Sequence, residues 1–358
     1  MNSLLTEPSN AIQATAMNTL MYEEARSAAK HVALQLAADA DRYQDLSEQL
    51  KSRPPLGVVT VARGSSDHAA AYLAYLVMSR TGQLVTSLPM SLLTLYKAPL
   101  ASHGLLAIAV TQSGRSQDLI EPMQIFRAAG AATVALVNDA ESPLAQTVQW
   151  CMPLHAGPEL SVAATKSFIC SLVAGARLCT HWPWGAHRDL QDALQALPEA
   201  LEKACLQDWS SAVEVLSRAE RLMVIGRGPG LAVALEAALK FKETCGIQAE
   251  AFSSAEVRHG PMALVGKDYP MLVFAPRGPA QAGLIALAED MRLRGAHVIL
   301  AAPPGVPSRQ LTLANADHCD LDPITAVQSF YLLVEAVSRA RGLNPDRPPH
   351  LSKVTSTR

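Results

Sequence analysis

The chain lacks the features that would place it in several protein classes. None of its six cysteines forms a Cys-x-x-Cys pair or has zinc-ligand spacing. Cysteines without such spacing are typical of small buried side chains in a reducing compartment. The net charge of −2 gives no basic surface for nucleic acid or anionic lipid. The N-terminus has no signal-peptide pattern, and no uncharged apolar run approaches the ~20 residues of a membrane span. We therefore expect a cytoplasmic protein that binds neither nucleic acid nor a membrane.

The sequence does contain short, valine-rich apolar runs that alternate with helical stretches rich in alanine and leucine. Such runs are typical of strands buried on both faces of a parallel sheet, and their alternation with helices predicts a doubly wound α/β fold. Residues 18–52 have helical periodicity, with Asn18 or Thr19 as the candidate cap. The predicted strands are residues 57–62, 105–110, 133–137, 222–225, 271–275 and 297–301.

Two pairs of segments indicate an internal duplication. Residues 61–66 (VARGSS) resemble residues 225–230 (IGRGPG), and residues 126–131 (FRAAGA) resemble residues 291–296 (MRLRGA). Gly-Ala before a strand is common, but the two pairs are separated by nearly equal stretches of chain, which favours duplication. We predict two tandem doubly wound parallel-sheet domains, each a three-layer αβα unit. The predicted divisions are an N-terminal segment and helix (1–34), the two domains (35–185 and 205–340), a connecting helix (189–206) and a C-terminal tail (341–358).

A hydroxyl-rich turn follows the predicted strand that ends at residue 110. It contains Thr111, Gln112, Ser113 and Ser116, and Gly114 allows the backbone to approach a ligand closely. Ligands bind at the carboxyl ends of strands in an open parallel sheet, and a helix N-terminus offers unpaired N–H groups to an anion. The turn is therefore a candidate phosphate site, although serine at a helix start is also an ordinary cap.

A second hydroxyl-bearing turn, Gly64-Ser65-Ser66, follows the first predicted strand. Two such turns at adjacent strand ends can enclose one phosphate, which favours the binding interpretation. In the second half, the duplication places Arg277 at the position of Ser113, in a loop without hydroxyls. We therefore expect only the first domain to bind phosphate.

The second predicted domain contributes titratable residues. Lys240 and Glu243 are three residues apart and so share one helix face, an arrangement that an ordinary surface ion pair also has. His259 precedes Gly-Pro, which cannot continue a helix, so we expect it in a loop. A loop histidine is either structural or, since imidazole suits proton transfer near neutral pH, an acid/base group for a sugar ring oxygen.

Several blocks, in the same order along the chain, resemble the sugar isomerase (SIS) domain family and, within it, the isomerase half of glutamine–fructose-6-phosphate amidotransferase. The resemblance covers roughly residues 20–358. The blocks are residues 62–66 (ARGSS) and 112–116 (QSGRS) for the two phosphate loops, 162–168 (VAATKSF) for the Val-Ala-Ser-Thr-Lys block, 238–243 (ALKFKE) for the catalytic helix, 258–261 (RHGP) for the catalytic loop and 351–353 (LSK) for the tail.

The resemblance implies a role for each matching residue. Glu243 would move a proton between C1 and C2 of the open-chain sugar, and Lys240 would stabilise charge on the enediol oxygens. His259, reaching over from the neighbouring subunit of a homodimer, and Lys353, on a tail that closes over the site, would assist ring opening. Phosphate would be held by Ser66, Gln112, Ser113 and Ser116, and the sugar would be lined by the backbone of Val162 and Ala163.

Departures from the family narrow the expected activity. The amidotransferases begin with a glutaminase domain and its cysteine nucleophile, whereas here position 2 is Asn2 and the first cysteine is Cys151. Arg115 replaces an acidic residue, and Ala164 replaces a serine. We therefore expect no use of glutamine. The runs RGSSDH (63–68) and FSSAE (252–256) instead resemble those of free-standing glucosamine-6-phosphate deaminases.

The expected reaction converts glucosamine 6-phosphate and water into fructose 6-phosphate and ammonia, without a metal or redox cofactor. One alternative is the same chemistry on galactosamine 6-phosphate or on the phosphate of a sugar–amino-acid conjugate. Another is a phosphosugar sensor without catalysis, which would be expected to have an attached DNA-binding segment. The 17 residues ahead of the first predicted helix are too few for one.

Overall fold

The computed structural model describes residues 18–185 and 187–353. The strands in these ranges are β1 (Gly57–Val61), β2 (Val85–Ser87), β3 (Leu105–Thr111), β4 (Ala132–Val137), β5 (Trp150–Pro153), β6 (Arg221–Gly226), β7 (Gln248–Ser253), β8 (Pro270–Phe274), β9 (His297–Ala302) and β10 (Leu311–Thr312). The α-helices are α1 (Leu20–Arg26), α2 (Ala28–Ala37), α3 (Ala40–Ser52), α4 (Ser65–Thr81), α5 (Ser91–Thr94), α6 (Gln117–Ala128), α7 (Pro143–Thr147), α8 (Lys166–Thr180), α9 (Arg188–Cys205), α10 (Val213–Ser217), α11 (Gly230–Cys245), α12 (Gln281–Leu293) and α13 (Asp322–Ala340). Among the helices of these ranges, none has both the length and the apolar character needed to cross a membrane.

Two parallel sheets of five strands each repeat a single strand order. The first sheet has the order β2-β1-β3-β4-β5, and the second, followed from its β7 edge, has the order β7-β6-β8-β9-β10. The separation along the chain from β1 to β6 nearly equals the separations from β3 to β8 and from β4 to β9. The predicted fold class, two tandem doubly wound parallel-sheet units, is confirmed, and the common order supports the duplication.

The largest apolar core lies between the two sheets. Alternate strand residues point into it, such as Val58 of β1 and Leu272 of β8, whereas Val59 and Met271 belong to separate clusters on the outer faces. Helices of both halves fill this space, and α4 packs directly on α11. Because α4 follows β1 and α11 follows β6, this contact brings the loop after β1 next to side chains of the second half.

The helical region 18–52 forms three helices rather than one continuous stretch. Thr19 caps α1 by accepting a hydrogen bond from the backbone N–H of Tyr22 at 3.1 Å. Helices α2 and α3 are separated at Asp39, whose backbone φ of 57° lies in the left-handed region. The predicted boundary between residues 34 and 35 falls inside α2. The domain limits remain a prediction, and residues 1–17, which include Asn2, and 354–358 lie outside the described residues.

Candidate active site

A cavity of about 320 Å³ lies at the carboxyl ends of β1 and β3, where ligands of open parallel sheets bind. Its walls come from the loops after these strands, from α11 and from the C-terminal segment. The predicted site residues that line it are Gly64, Ser65, Ser66, Thr111, Gln112, Ser113, Ser116, Val162, Lys240, Glu243 and Lys353. The other lining residues are Arg63, Val110, Asp118, Leu119, Ala164, Leu351 and Ser352.

The loop after β3 presents its hydroxyl groups to the cavity. Ser116 occupies the N-cap position of α6, yet its side chain makes no capping hydrogen bond. Thr111 Oγ1 and Ser113 Oγ each accept a backbone N–H of the turn, at 3.3 and 3.4 Å. Because a hydroxyl that accepts one hydrogen bond can still donate another, these contacts leave donors for a ligand. The geometry favours the anion-binding interpretation of the loop over the helix-cap alternative.

Arg63 is a lining residue that the sequence analysis did not identify. It lies directly before Gly64, and its Nε donates a hydrogen bond to Asp118 Oδ2 at 3.2 Å. Asp118 is buried in the first turn of α6, whereas the side chain of Arg63 is 59% exposed. A guanidinium anchored in this way would complement an anion bound at the neighbouring serines. The arginine was visible in the sequence, but its carboxylate partner, 55 residues away, was not.

The pair Lys240–Glu243 faces the same cavity from α11. Lys240 is only 1% exposed, and its Nζ donates to Glu243 Oε2 at 2.5 Å and to Ser65 Oγ at 3.1 Å. The side chain of Glu243 is 22% exposed, on the cavity side. Burial distinguishes this arrangement from a surface ion pair. An accessible carboxylate can transfer a proton here while the buried ammonium stabilises a nearby oxyanion.

A second carboxylate, Glu236, keeps this lysine charged. Glu236 is fully buried one turn earlier on α11, with its Oε1 at 3.2 Å from Lys240 Nζ. Burial opposes ionisation, yet Lys240 and hydrogen bonds from His68 and Ser65 lower the pKa of Glu236 to about 2. Burial likewise disfavours the charged lysine, but Glu236 and Glu243 raise the pKa of Lys240 above its usual value. Both groups are therefore ionised at neutral pH.

The C-terminal segment places Lys353 in the cavity wall. Its Nζ donates to the backbone oxygen of Ser161 at 2.7 Å and to Glu159 Oε2 at 3.2 Å. Glu159 is buried and accepts the backbone N–H groups of Thr165 and Ser167 at the start of α8. Burial opposes its ionisation, but Lys353 and these hydrogen bonds lower the pKa of Glu159. The tail is thus anchored by an ion pair that the sequence analysis did not identify.

The block at residues 162–164 contributes backbone and small side chains. Val162 and Ala164 line the cavity, whereas Ala163 is buried and is not among the lining residues. The N–H of Val162 donates to the backbone oxygen of Asp346 at 3.1 Å, and the oxygen of Ala163 accepts from Ser161 Oγ at 2.9 Å. The position of this block therefore depends on the C-terminal segment.

His259 is placed apart from the other predicted catalytic residues. It ends a 3₁₀ turn, Glu256–His259, is exposed, and does not line the cavity. Arg115 also lies outside the lining and pairs with Asp139 at 2.8 Å. The cavity within one chain thus brings together Lys240, Glu243 and Lys353 without His259.

Comparison with known proteins establishes the family. The sequence profile of the SIS domain matches residues 57–180 and 215–302. The chain belongs to the SIS domain family. The matched segments of this SIS protein include every lining residue of the cavity except Leu351, Ser352 and Lys353.

Its relatives handle phosphosugars. A Silicibacter pomeroyi DSS-3 protein, provisionally assigned as a phosphosugar isomerase, is 40% identical and matches 92% of this SIS chain and 100% of its own, with a TM-score of 0.86. Glutamine–fructose-6-phosphate aminotransferase of Zymomonas mobilis is 30% identical over 312 residues, which are 83% of this chain and 51% of that protein. The chain therefore spans about half the length of the curated relatives it matches. Glucosamine-6-phosphate deaminase of Thermotoga maritima shares the fold, with a TM-score of 0.75 at 20% identity over 95% of this chain and 100% of its own.

Replacing both Ser113 and Ser116 by alanine should weaken binding of phosphorylated sugars and leave the Tm of the ligand-free protein nearly unchanged. A hydrogen bond to a charged phosphate contributes about 1.5–3 kcal/mol, whereas the Ser116 hydroxyl caps no helix. Calorimetric titration with glucosamine 6-phosphate and thermal melts would measure both quantities. Thr19→Ala is the control, since Thr19 does cap a helix and should lower Tm without changing affinity. A double variant that melts early but binds normally would show that the two serines are structural.

Proposed function

We propose that this SIS protein deaminates and isomerises an amino-sugar phosphate, converting glucosamine 6-phosphate and water into fructose 6-phosphate and ammonia. The observation that carries the proposal is that the Lys240–Glu243 pair and both hydroxyl-bearing loops face one cavity. A phosphate bound at the loops would direct the sugar carbons towards the pair. The sequence similarity of this chain to the aminotransferases, over about half of their length, supports the same conclusion.

The proposed chemistry is a proton shuttle followed by hydrolysis. Glu243 takes the proton from C2 of the open-chain aldose and delivers it to C1, while the C1 oxygen gains a proton and the amine nitrogen loses one, so that the C1 carbonyl becomes a hydroxyl and the C2 amine becomes an imine. Between the two transfers, the ammonium of Lys240 stabilises the negative charge that develops on the C1 oxygen. Water then adds to C2 and ammonia leaves, so the oxygen of the product carbonyl comes from water.

Ring opening completes the proposal and involves a second copy of the chain. Opening the ring requires a proton at the ring oxygen and loss of one from the C1 hydroxyl, for which we propose Lys353 and His259. Because His259 is exposed and lies outside the cavity of its own chain, we propose a homodimer in which it reaches the partner subunit's cavity. Sedimentation of the active protein at the mass of one chain would contradict this arrangement.

Ammonia release from 2-amino-sugar phosphates tests the proposed reaction. We expect release from glucosamine 6-phosphate alone, and no amino sugar from fructose 6-phosphate with glutamine. Glutamine-dependent amino-sugar formation would contradict the proposal. Ammonia only from galactosamine 6-phosphate or from a sugar–amino-acid conjugate phosphate would retain the mechanism and change the substrate. No release, together with tight phosphosugar binding, would favour a sensor.

A further inference from the structure

The buried carboxylate of Glu236 has no step in the proposed chemistry, yet it lies beside the groups that do. Glu236, Lys240 and Glu243 are spaced by four and three residues on α11, so they form one stripe along the helix. Glu236 is the innermost of the three, with a side chain that is 0% exposed. A buried charge is costly unless it is paired and hydrogen-bonded. The groups around Glu236 must therefore compensate for the burial of its charge.

Four donors from three helices surround this carboxylate. Ser65 Oγ and His68 Nδ1, both on α4, lie at 3.0 Å, Tyr331 Oη of α13 lies at 3.1 Å, and Lys240 Nζ of α11 lies at 3.2 Å. Ser65 and His68 belong to the first half of the chain, and the other two donors belong to the second. The carboxylate therefore fastens α4 of one half to two helices of the other.

Two of these donors also belong to the proposed active site. Ser65 follows Gly64 in the first phosphate loop, and Lys240 Nζ donates both to Ser65 Oγ at 3.1 Å and to Glu243 Oε2 at 2.5 Å. An unbroken chain of contacts thus runs from the phosphate loop through Ser65 and Lys240 to the proton-shuttling carboxylate. Glu236 touches both intermediate members of that chain.

We infer that Glu236 is a positioning residue that aligns the phosphate loop of the first half with the Lys240–Glu243 pair of the second. Without its charge, Lys240 keeps Glu243 as its only carboxylate partner, so the position of the Lys240 ammonium between the two carboxylates is no longer fixed from both sides. Ser65 keeps only a neutral amide oxygen as its acceptor in Glu236→Gln, so the hydrogen bond that anchors the phosphate loop on α11 becomes weaker. The inference about turnover rests on the proposed function, whereas the inference about phosphate binding does not.

The expected signature is a joint loss of phosphate affinity and turnover in Glu236→Gln. Misplacement of catalytic groups by about 1 Å can lower a rate by ~10²-fold, so we expect kcat for ammonia release to fall by about 10–100-fold. The affinity for inorganic phosphate, measured by calorimetry, should fall by about 2–10-fold, the effect of one weakened hydrogen bond. Ser113→Ala/Ser116→Ala should lose affinity in the same assay, and Glu243→Gln should lose turnover with phosphate affinity retained.

Asp322→Asn is the matched control for burial. Asp322 is 2% exposed and, like Glu236, has a cationic partner, since Arg277 donates to it twice at 2.8 Å, but it does not line the cavity. This variant should keep both phosphate affinity and kcat. If it loses both as Glu236→Gln does, the role of Glu236 is only structural and the inference is overturned.

Tyr331→Phe gives a second variant in case Glu236→Gln does not fold. It removes one donor and retains the carboxylate, so both losses should appear at about 2–10-fold. If wild type releases no ammonia, the proposed function fails and phosphate affinity alone decides the role of Glu236. Unchanged phosphate affinity in Glu236→Gln, or in Tyr331→Phe where the former does not fold, would overturn the inference.

Discussion

Glu243→Gln should fold and bind phosphorylated sugars normally while turnover falls by about 10²–10⁴-fold, the usual effect of losing a general base. The amide has the size of the carboxylate and can still accept the hydrogen bond that Lys240 Nζ donates at 2.5 Å. It cannot take up a proton from C2. Phosphate binding should persist because the hydroxyl-bearing loops after β1 and β3 are unchanged.

Exchange of the C2 hydrogen with deuterated solvent provides a measurement at the proposed step. In Glu243→Gln this exchange should be lost together with ammonia release. Glu250→Gln, an exposed carboxylate on β7 outside the cavity lining, is the control and should behave as wild type. Near-normal turnover of the Glu243 variant would remove this residue from the mechanism.

Burial on both faces explains which strands could be predicted from the sequence. The six predicted strands correspond to β1, β3, β4, β6, β8 and β9, which are the interior strands of the two sheets. The four that were missed, β2, β5, β7 and β10, are the edge strands. An interior strand of a parallel sheet requires a continuous apolar run, whereas an edge strand such as Val85–Ser87 is short and partly exposed, and its sequence resembles that of a loop.

The part of the candidate site that depends on a local sequence pattern could be predicted from the sequence. Hydroxyl groups beside glycine at the ends of two strands predicted the two loops that line the cavity, and helical spacing predicted the Lys240–Glu243 pair. Glu236 shares that spacing, but its importance depends on partners that are distant in sequence: Ser65 is 171 residues away and Tyr331 is 95. Only the packing of α4 and α13 on α11 creates this network, and no pattern within one element contains that information.

Lys240→Met should destabilise the protein by about 3–5 kcal/mol at neutral pH, because removing one partner of a buried ion pair leaves an uncompensated charge. Methionine fills a similar volume, so the loss reports the charge. Glu236 would remain buried with the hydroxyl and imidazole donors but without its cation. Lys203→Met removes the lysine of an exposed ion pair with the same four-residue spacing, Glu199–Lys203, and should leave stability nearly unchanged. Chemical denaturation of the two variants and wild type gives the comparison.

The stability difference between Lys240→Met and wild type should also depend on pH. In wild type the pKa of Glu236 lies near 2, below its ordinary 4.5, so its contribution is complete above about 4.5 and disappears as pH falls towards 2. In the variant, burial is no longer opposed by the lysine and should raise this pKa above its ordinary value, which penalises folding at neutral pH and relieves the penalty in acid. Both effects shrink the difference in unfolding free energy as pH falls from neutral. A difference that stays constant with pH would show that the loss comes from packing and that Lys240 does not hold Glu236 ionised.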